Sequence, residues 1–338
     1  MSVPAIVAPE IAELAAVVAD APAVVPTGAG THREVGGPVP EGLEVRAPAG
    51  IVTYDPAELT VTVGAGTSAS ELREVLAAAG QECPIDPRDE GATVGGVIAA
   101  GLSGHRRLRY GPLRDLVLEV RLVTADGKLV RGGAPVVKNV TGYDLPRLIV
   151  GSLGTLALVV QATLRCRPVP ATVAWATTDE EPSAVRARVF APSSLLWDGS
   201  RTHVLLEGDA RDVDVQLAAV GGAATEQASA WPDGVHRGRI SIRPGAVVEL
   251  GRALDAIAGC RWIAEAAVGT VHVAGDDAEA LVAARSAARA RGGWLLREAG
   301  GGEGFDGFGQ PLPDHAIARR LKDAFDPTGK LSPGRIPI

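Results

Sequence analysis

Two stretches of this 338-residue chain combine glycine with hydroxyl side chains in a way suited to holding an anion. VVPTGAGTH places Gly28, Ala29, Gly30 and Thr31 directly after an apolar run, so successive backbone N–H groups can form a concave phosphate site with almost no Cβ atoms in the way. GATVGGVIAAGLSG then supplies the Thr93 hydroxyl, flat backbone at Gly95 and Gly96, and a thin wall of Ala99, Ala100 and Ser103. Two glycine loops on opposite sides of one pyrophosphate account for this density better than a single loop. A pair of tight turns with no ligand uses the same residues, and the pattern alone leaves both readings open.

VGAGTSAS contains Gly64, Gly66 and Ala69, a GxGxxA between a strand and a helix, as in a dinucleotide fingerprint. That fingerprint also needs a second buried strand ending in an acid about 20 residues on. Here Pro84 and Pro87 interrupt QECPIDPRDEG, which leaves Glu82 and Asp86 with no element to hold them, so a capped turn is the better reading. His105 with Arg106, Arg107 and Arg109 reads as a solvated basic turn before it reads as part of a site. Lys138, Asn139, Tyr143 and Asp144 form a polar cluster of the kind that supports a loop. His272 alone in VGTVHVAGD is a poor metal site, since divalent ions want three or more ligands, and no metal is expected. No residue stands out as a catalytic base.

These residues must be positioned by alternating elements. PEIAELAAVVADA predicts a helix with Glu10 and Glu13 in its first turn. ELTVTVGAG reads as a half-buried strand, and TSASELREVLAAAG as a helix with Ser68 and Glu71 at capping-box spacing and Gly80 at C′. DLVLEVRLVTADGKLVRGG is a hairpin around Asp126 and Gly127, and LALVVQATLRCRP a further strand. Pro168 and Pro170 mark a boundary, beyond which strands and helices alternate through THVLLEG, RDVDVQLAAVGG, GTVHVAG, DAEALVAARSAARARGG and WLLREAG. After GGGEGFDGFGQPLP, an amphipathic helix and a turn close the chain.

Composition narrows the class. With 46% hydrophobic and 22% charged residues the chain is globular, and a net charge of -7 with 4% aromatics argues against a nucleic-acid partner. No apolar run is long enough for direct membrane insertion, so a cytoplasmic protein is expected, held at a membrane only through partners. Cys83, Cys166 and Cys260 are too few and too widely spaced for a disulfide framework or iron-sulfur ligation.

PTGAGT, YDPAELTVTVGAGTSASEL, GATVGGVIAAGLSGHRRLRYGPLRDLVLEVRLVTADGKLV and KNVTGYDLPRLIVGSLGTLALVVQATL, in this order, resemble the FAD-binding domain of the vanillyl-alcohol oxidase and p-cresol methylhydroxylase (PCMH-type) superfamily. Within it the chain resembles the FAD-binding E subunits of glycolate oxidase. The likeness covers about residues 24 to 168, and LKDAFDPTGKLSPGR is similar to that family's C-terminal return to the flavin. It implies an α+β chain with a PCMH-type FAD-binding domain of two α/β subdomains at 1–168, a smaller α/β cap at 169–304, and a returning segment at 305–338. It assigns Gly28, Ala29, Gly30 and Thr31 to the first pyrophosphate loop, and Thr93, Gly95, Gly96, Ser103 and Gly104 to the second contact. Relatives with covalent FAD often end the first loop in histidine. Here that slot is Thr31 and the histidine is displaced to His32, which implies noncovalent FAD. The implied function is that of an FAD-dependent oxidoreductase subunit of glycolate catabolism. A second flavoprotein oxidises the small 2-hydroxy acid, and an iron-sulfur subunit carries electrons away. Catalytic relatives read SEGTLG where this chain has Leu153, carry HxGDGNxH where it has only His272, and commonly end in NPGR where it has Ser332 in LSPGR. A self-sufficient oxidase of another small alcohol or hydroxy acid, and a non-catalytic flavoprotein scaffold, are the alternatives.

Overall fold

Ile11, Ala15 and Val18 fall on one side of the helix Ala8–Asp20 and close a small core with Val24, Val45, Val123, Val160 and Leu331. The computed structural model describes residues 8–136, 142–225, 231–309 and 314–338. Val24–Pro26 pairs in parallel with Leu43–Val45, and Val24 also bridges Leu331, so the end of the chain lies beside its beginning. Lys138 and Asn139 lie outside the described residues.

Gln81–Glu82 pairs antiparallel with Arg167–Pro168, and two larger antiparallel sheets carry the rest. The first runs in the order Ile51–Asp55, Thr60–Gly64, Leu158–Arg165, Val117–Val123, Leu129–Gly133. Its alternating apolar residues Val61, Val63, Val120 and Leu122 pack with Leu72, Leu76, Val97, Ile98 and Ile149 from the helices Ala69–Ala77, Val94–Ala100 and Leu145–Ile149. The hairpin turn forms at Asp126 and Gly127, with Gly127 at φ +77°. The second sheet has eight strands: Ala223–Thr225, Thr172–Thr178, Thr202–Gly208, Ser194–Trp197, Arg261–Glu265, Thr270–Gly275, His236–Ser241 and Trp294–Ala299. The helices Ala210–Val220, Val247–Asp255 and Ala278–Arg289 contribute Val213, Leu250, Leu254, Leu281 and Ala284 to its core.

Thr60–Gly64 lies between two antiparallel neighbours, which rules out the parallel unit of a dinucleotide fingerprint at Gly64 and Gly66. Ser68 caps the next helix, its hydroxyl accepting from Glu71 N–H at 3.1 Å. Gly80, at φ +67°, sits one residue later than C′, since the cap itself is Ala78.

The reading of His105, Arg106, Arg107 and Arg109 as a solvated turn holds for the exposed Arg109 and is corrected at Arg106. Arg106 is 13% exposed and bridges Asp86 at 2.7 Å, Glu82 at 2.8 Å and Glu207 at 3.1 Å. Glu82 and Asp86 therefore do have an anchor, and Glu207 belongs to the second sheet, so one guanidinium ties the segment 82–86 to that sheet. Tyr110 donates to the other Glu207 oxygen at 3.0 Å, and burial followed by that carboxylate pushes its phenol up to about 12. Asp144 caps its helix by accepting from Arg147 N–H, while Tyr143 is 92% exposed and its side chain makes no hydrogen bond among the described residues. The three cysteines are unpaired, and burial pushes the Cys166 thiol up to about 12 and Cys260 to about 11.

Candidate functional site

The loop after Val24–Pro26 and the start of Val94–Ala100 face each other across a narrow groove. Gly28, Ala29, Gly30, Thr31, His32, Thr93 and Gly96 line it, together with Ala99, Ala100 and Leu153. The two loops touch. A Cβ on Gly28 would lie 2.1 Å from Thr93 Oγ1, and that hydroxyl also accepts from Gly96 N–H at 3.2 Å. Gly30 takes φ +84° with nothing within 4 Å of its Cβ direction, so here the backbone conformation, not crowding, selects glycine.

Among the described residues, the backbone N–H groups of 28 through 32 donate to no protein acceptor, although Thr27 and Arg33 on either side both do. Five consecutive free donors around a glycine of positive φ form the concavity that binds anions. The opposite wall comes from the C-terminal turn. Ser332 N–H donates to Val24 O at 2.8 Å, which holds the turn against the first strand. This places Arg335 in the groove at 6% exposure. Arg335 donates only to the carbonyls of Pro38 at 3.0 Å and His32 at 3.4 Å, with no carboxylate partner among the described residues. Burial, followed by the nearby Arg297 and Arg33 charges, lowers it to about 10. A buried guanidinium without a counter-ion is costly alone and stabilising beside a bound anion. Five amides and one buried cation around one groove fit a pyrophosphate.

The other predicted residues separate. Gly95 lines no part of the groove: its N–H donates to Ala65 O at 2.8 Å, and a Cβ there would meet Ala65 Cβ at 2.8 Å. Gly104 passes against Asp86, where a Cβ would approach the Asp86 Cβ to 2.3 Å. Part of the glycine density in 91–104 therefore serves contact between protein segments. Ser103 accepts from Leu113 N–H at 3.0 Å.

Ser103 and Gly104 line a second cavity of about 400 Å³ that continues from the groove through Thr31 and His32. Its far wall carries Trp231, Arg237, Arg239, His272 and Glu298, of which the sequence singles out only His272, as the lone counterpart of the histidine-rich segment of catalytic relatives. Thr31 Oγ1 and His32 Nδ1 lie 3.0 Å apart, and burial lowers the His32 imidazole below its usual value, which favours the neutral ring. His272 is paired with Glu265 at 2.9 Å. Leu153, at φ +52°, joins Val35, Leu296 and Phe308 in an apolar cluster and offers no charge to the groove. Strand alternation gives no hint of a turn-borne cation such as Arg335. Its only signal was a basic residue in the terminal LSPGR.

Residues 4–133 match the family described as FAD binding domain. The glycolate oxidase subunit GlcE of Escherichia coli (strain K12) is 30% identical over 344 residues, covering 94% of each chain. The D-lactate dehydrogenase of Archaeoglobus fulgidus is 43% identical over 105 residues, and the glycolate oxidase subunit GlcD of Bacillus subtilis 38% over 154. Those matches cover 31% and 44% of this chain, and only 24% and 33% of the relatives. Among solved structures, an alkyldihydroxyacetonephosphate synthase superposes with TM-score 0.69 at 17% identity, over 97% of this chain and 74% of that one, which establishes the shared fold. With an FAD binding domain at its N-terminal side and likeness to GlcE along nearly its full length, the chain belongs to the family of the glycolate oxidase subunit GlcE.

Proposed function

We propose that this chain is an FAD-dependent oxidoreductase subunit that holds FAD noncovalently in the groove between residues 28–32 and Arg335 and serves the oxidation of a small 2-hydroxy acid. The free amides of 28–32 facing the unpaired Arg335 carry this reading. The amides and the guanidinium take the pyrophosphate oxygens, Thr93 fixes the spacing of the two loops, and Ser103 and Gly104 border the cavity into which the groove opens. FAD supplies a two-electron acceptor there. Neutral His32, already bonded to Thr31, lines the groove without a reactive partner, in keeping with noncovalent binding.

In this reading residues 1–168 form the flavin domain, 169–304 the cap and 305–338 the segment that returns to the groove. Support comes from the sheets at Ile51–Arg165 and Thr172–Ala299 and from the Val24 to Leu331 bridge. Likeness to proteins named as glycolate oxidase subunits supports a multi-subunit assembly, in which a second flavoprotein and an iron-sulfur subunit are the proposed partners. Titrating flavin-free protein with FAD tests the groove. Arg335→Met removes a charge-assisted contact of about 1.5–3 kcal/mol and is expected to weaken binding by about 10–100-fold. Undiminished affinity in that variant overturns the placement.

A further inference from the structure

The second cavity has an acceptor and two cations arranged on one sheet face. Arg237 and Arg239 alternate on His236–Ser241, so their side chains share a face, and Arg239 pairs in register with His272 on the neighbouring strand. Arg237 lies 3.7 Å from the exposed Asp233, whereas Arg239, half-buried, makes no hydrogen bond or ion pair among the described residues. His272 is 13% exposed, with Glu265 at 4% bonded to Nε2 at 2.9 Å and the Trp231 ring edge-on at 4.4 Å. Glu265 and Trp231 thus fix the imidazole. The tautomer that donates Nε2–H to this carboxylate carries a lone pair on Nδ1 and can accept there.

Resting on the flavin-subunit reading above, we infer that this chain has its own binding site for a small 2-hydroxy carboxylate. Arg239, assisted by Arg237, takes the carboxylate, and His272 Nδ1 accepts the hydrogen bond from the adjacent hydroxyl. A guanidinium fork matches a carboxylate in two bonds and an imidazole lone pair matches a hydroxyl donor, so ligands with both groups on neighbouring carbons are selected. The sister flavoprotein is then not the only subunit that meets the hydroxy acid.

Calorimetric titration of the FAD-loaded chain with glycolate and with acetate, which lacks the hydroxyl, tests this site. Glycolate is expected to bind at least about tenfold tighter than acetate, because acetate leaves the imidazole acceptor unpaired. Arg239→Met is expected to weaken both ligands by about tenfold or more, and the milder Arg239→Lys by less. His272→Phe, which keeps a ring beside Trp231, is expected to erase the preference for glycolate while acetate binds as before. Equal affinity for the two acids, or variants that bind glycolate as the parent does, overturns the site. Loss of FAD from either Arg239 variant assigns Arg239 to the flavin and likewise overturns it. A parent chain that takes up no FAD fails the earlier reading instead, and flavin content measured in the same samples separates the two failures.

Discussion

Gly28 has no room for a side chain, since a Cβ there meets Thr93 Oγ1 at 2.1 Å, and the clash lies between the two loops that line the groove. Gly28→Val is therefore expected to push the loops apart and to lower FAD content to a small fraction of the parent's, with the circular dichroism spectrum retained. Gly30→Ala meets no atom and strains only the φ of +84°, so about 1 kcal/mol of stability is the expected cost, read by thermal unfolding. Protonation gives a second handle. Burial lowers the imidazole pKa of both His32 and His105 below the usual 6.5. Above that value both rings are neutral, folded or unfolded, and stability is undiminished. As pH falls below it, the unfolded chain takes up protons that the fold resists, and stability drops until the depressed folded values are passed. Melting temperature is expected to fall on acidification from roughly pH 7 to 5, with a shallower slope in a His32→Gln, His105→Gln variant. An identical slope contradicts the assignment. The Gly28 to Thr31 loop is legible in the sequence as a candidate anion site because small residues after a strand leave consecutive backbone N–H groups bare. The place of Arg335 across the groove from it is not legible, because it depends on a contact between the two ends of the chain that no local pattern records. Gly95 misled for a related reason: glycine where a helix crosses close to Ala65 looks the same in a sequence as glycine beside a ligand.

The elements that local chemistry specifies fully are the ones the sequence predicts well. Ser68 and Glu71 set a helix start, Asp126 and Gly127 set a hairpin, and the Ile11, Ala15, Val18 spacing sets a helix face. Arg106 belongs to the other kind. Charge clusters on turns are usually solvated, and here the docking of Thr202–Gly208 beside residues 82–86 brings the buried Glu207 to it and leaves the rest of the group half-buried. Removing the guanidinium leaves Glu207, 3% exposed on its side chain, without its counter-ion. Arg106→Met is therefore expected to cost about 3–5 kcal/mol, measured by denaturant unfolding. A companion Arg106→Met, Glu207→Leu variant is expected to recover part of that loss, because the stranded charge goes with its partner. A loss below about 1 kcal/mol in the single variant would place Arg106 among ordinary surface pairs.

For the molecule as a unit, one groove joins the start of the chain, the helix Val94–Ala100 and the C-terminal turn, and it opens toward the eight-stranded sheet. Such a site needs every segment in place before it exists, so flavin binding is expected to raise the melting temperature of the chain as a single cooperative unit. The three cysteines are unpaired, and in the proposed assembly an iron-sulfur subunit carries the electrons away from the flavin. With Leu153 where catalytic relatives have an acid and His272 alone where they have a histidine cluster, the purified chain is expected to bind glycolate or D-lactate but turn them over poorly even with an artificial acceptor, and addition of the proposed second flavoprotein and iron-sulfur subunit to restore the rate. Efficient turnover by the lone chain contradicts the subunit assignment. The central claim, noncovalent FAD held by the backbone of 28–32 and Arg335, is tested most directly by acid precipitation of the purified, FAD-saturated chain with flavin measured in both fractions. The expected result is one FAD per chain, all of it in the supernatant. Flavin retained in the pellet, or a chain that takes up none at saturation, contradicts it.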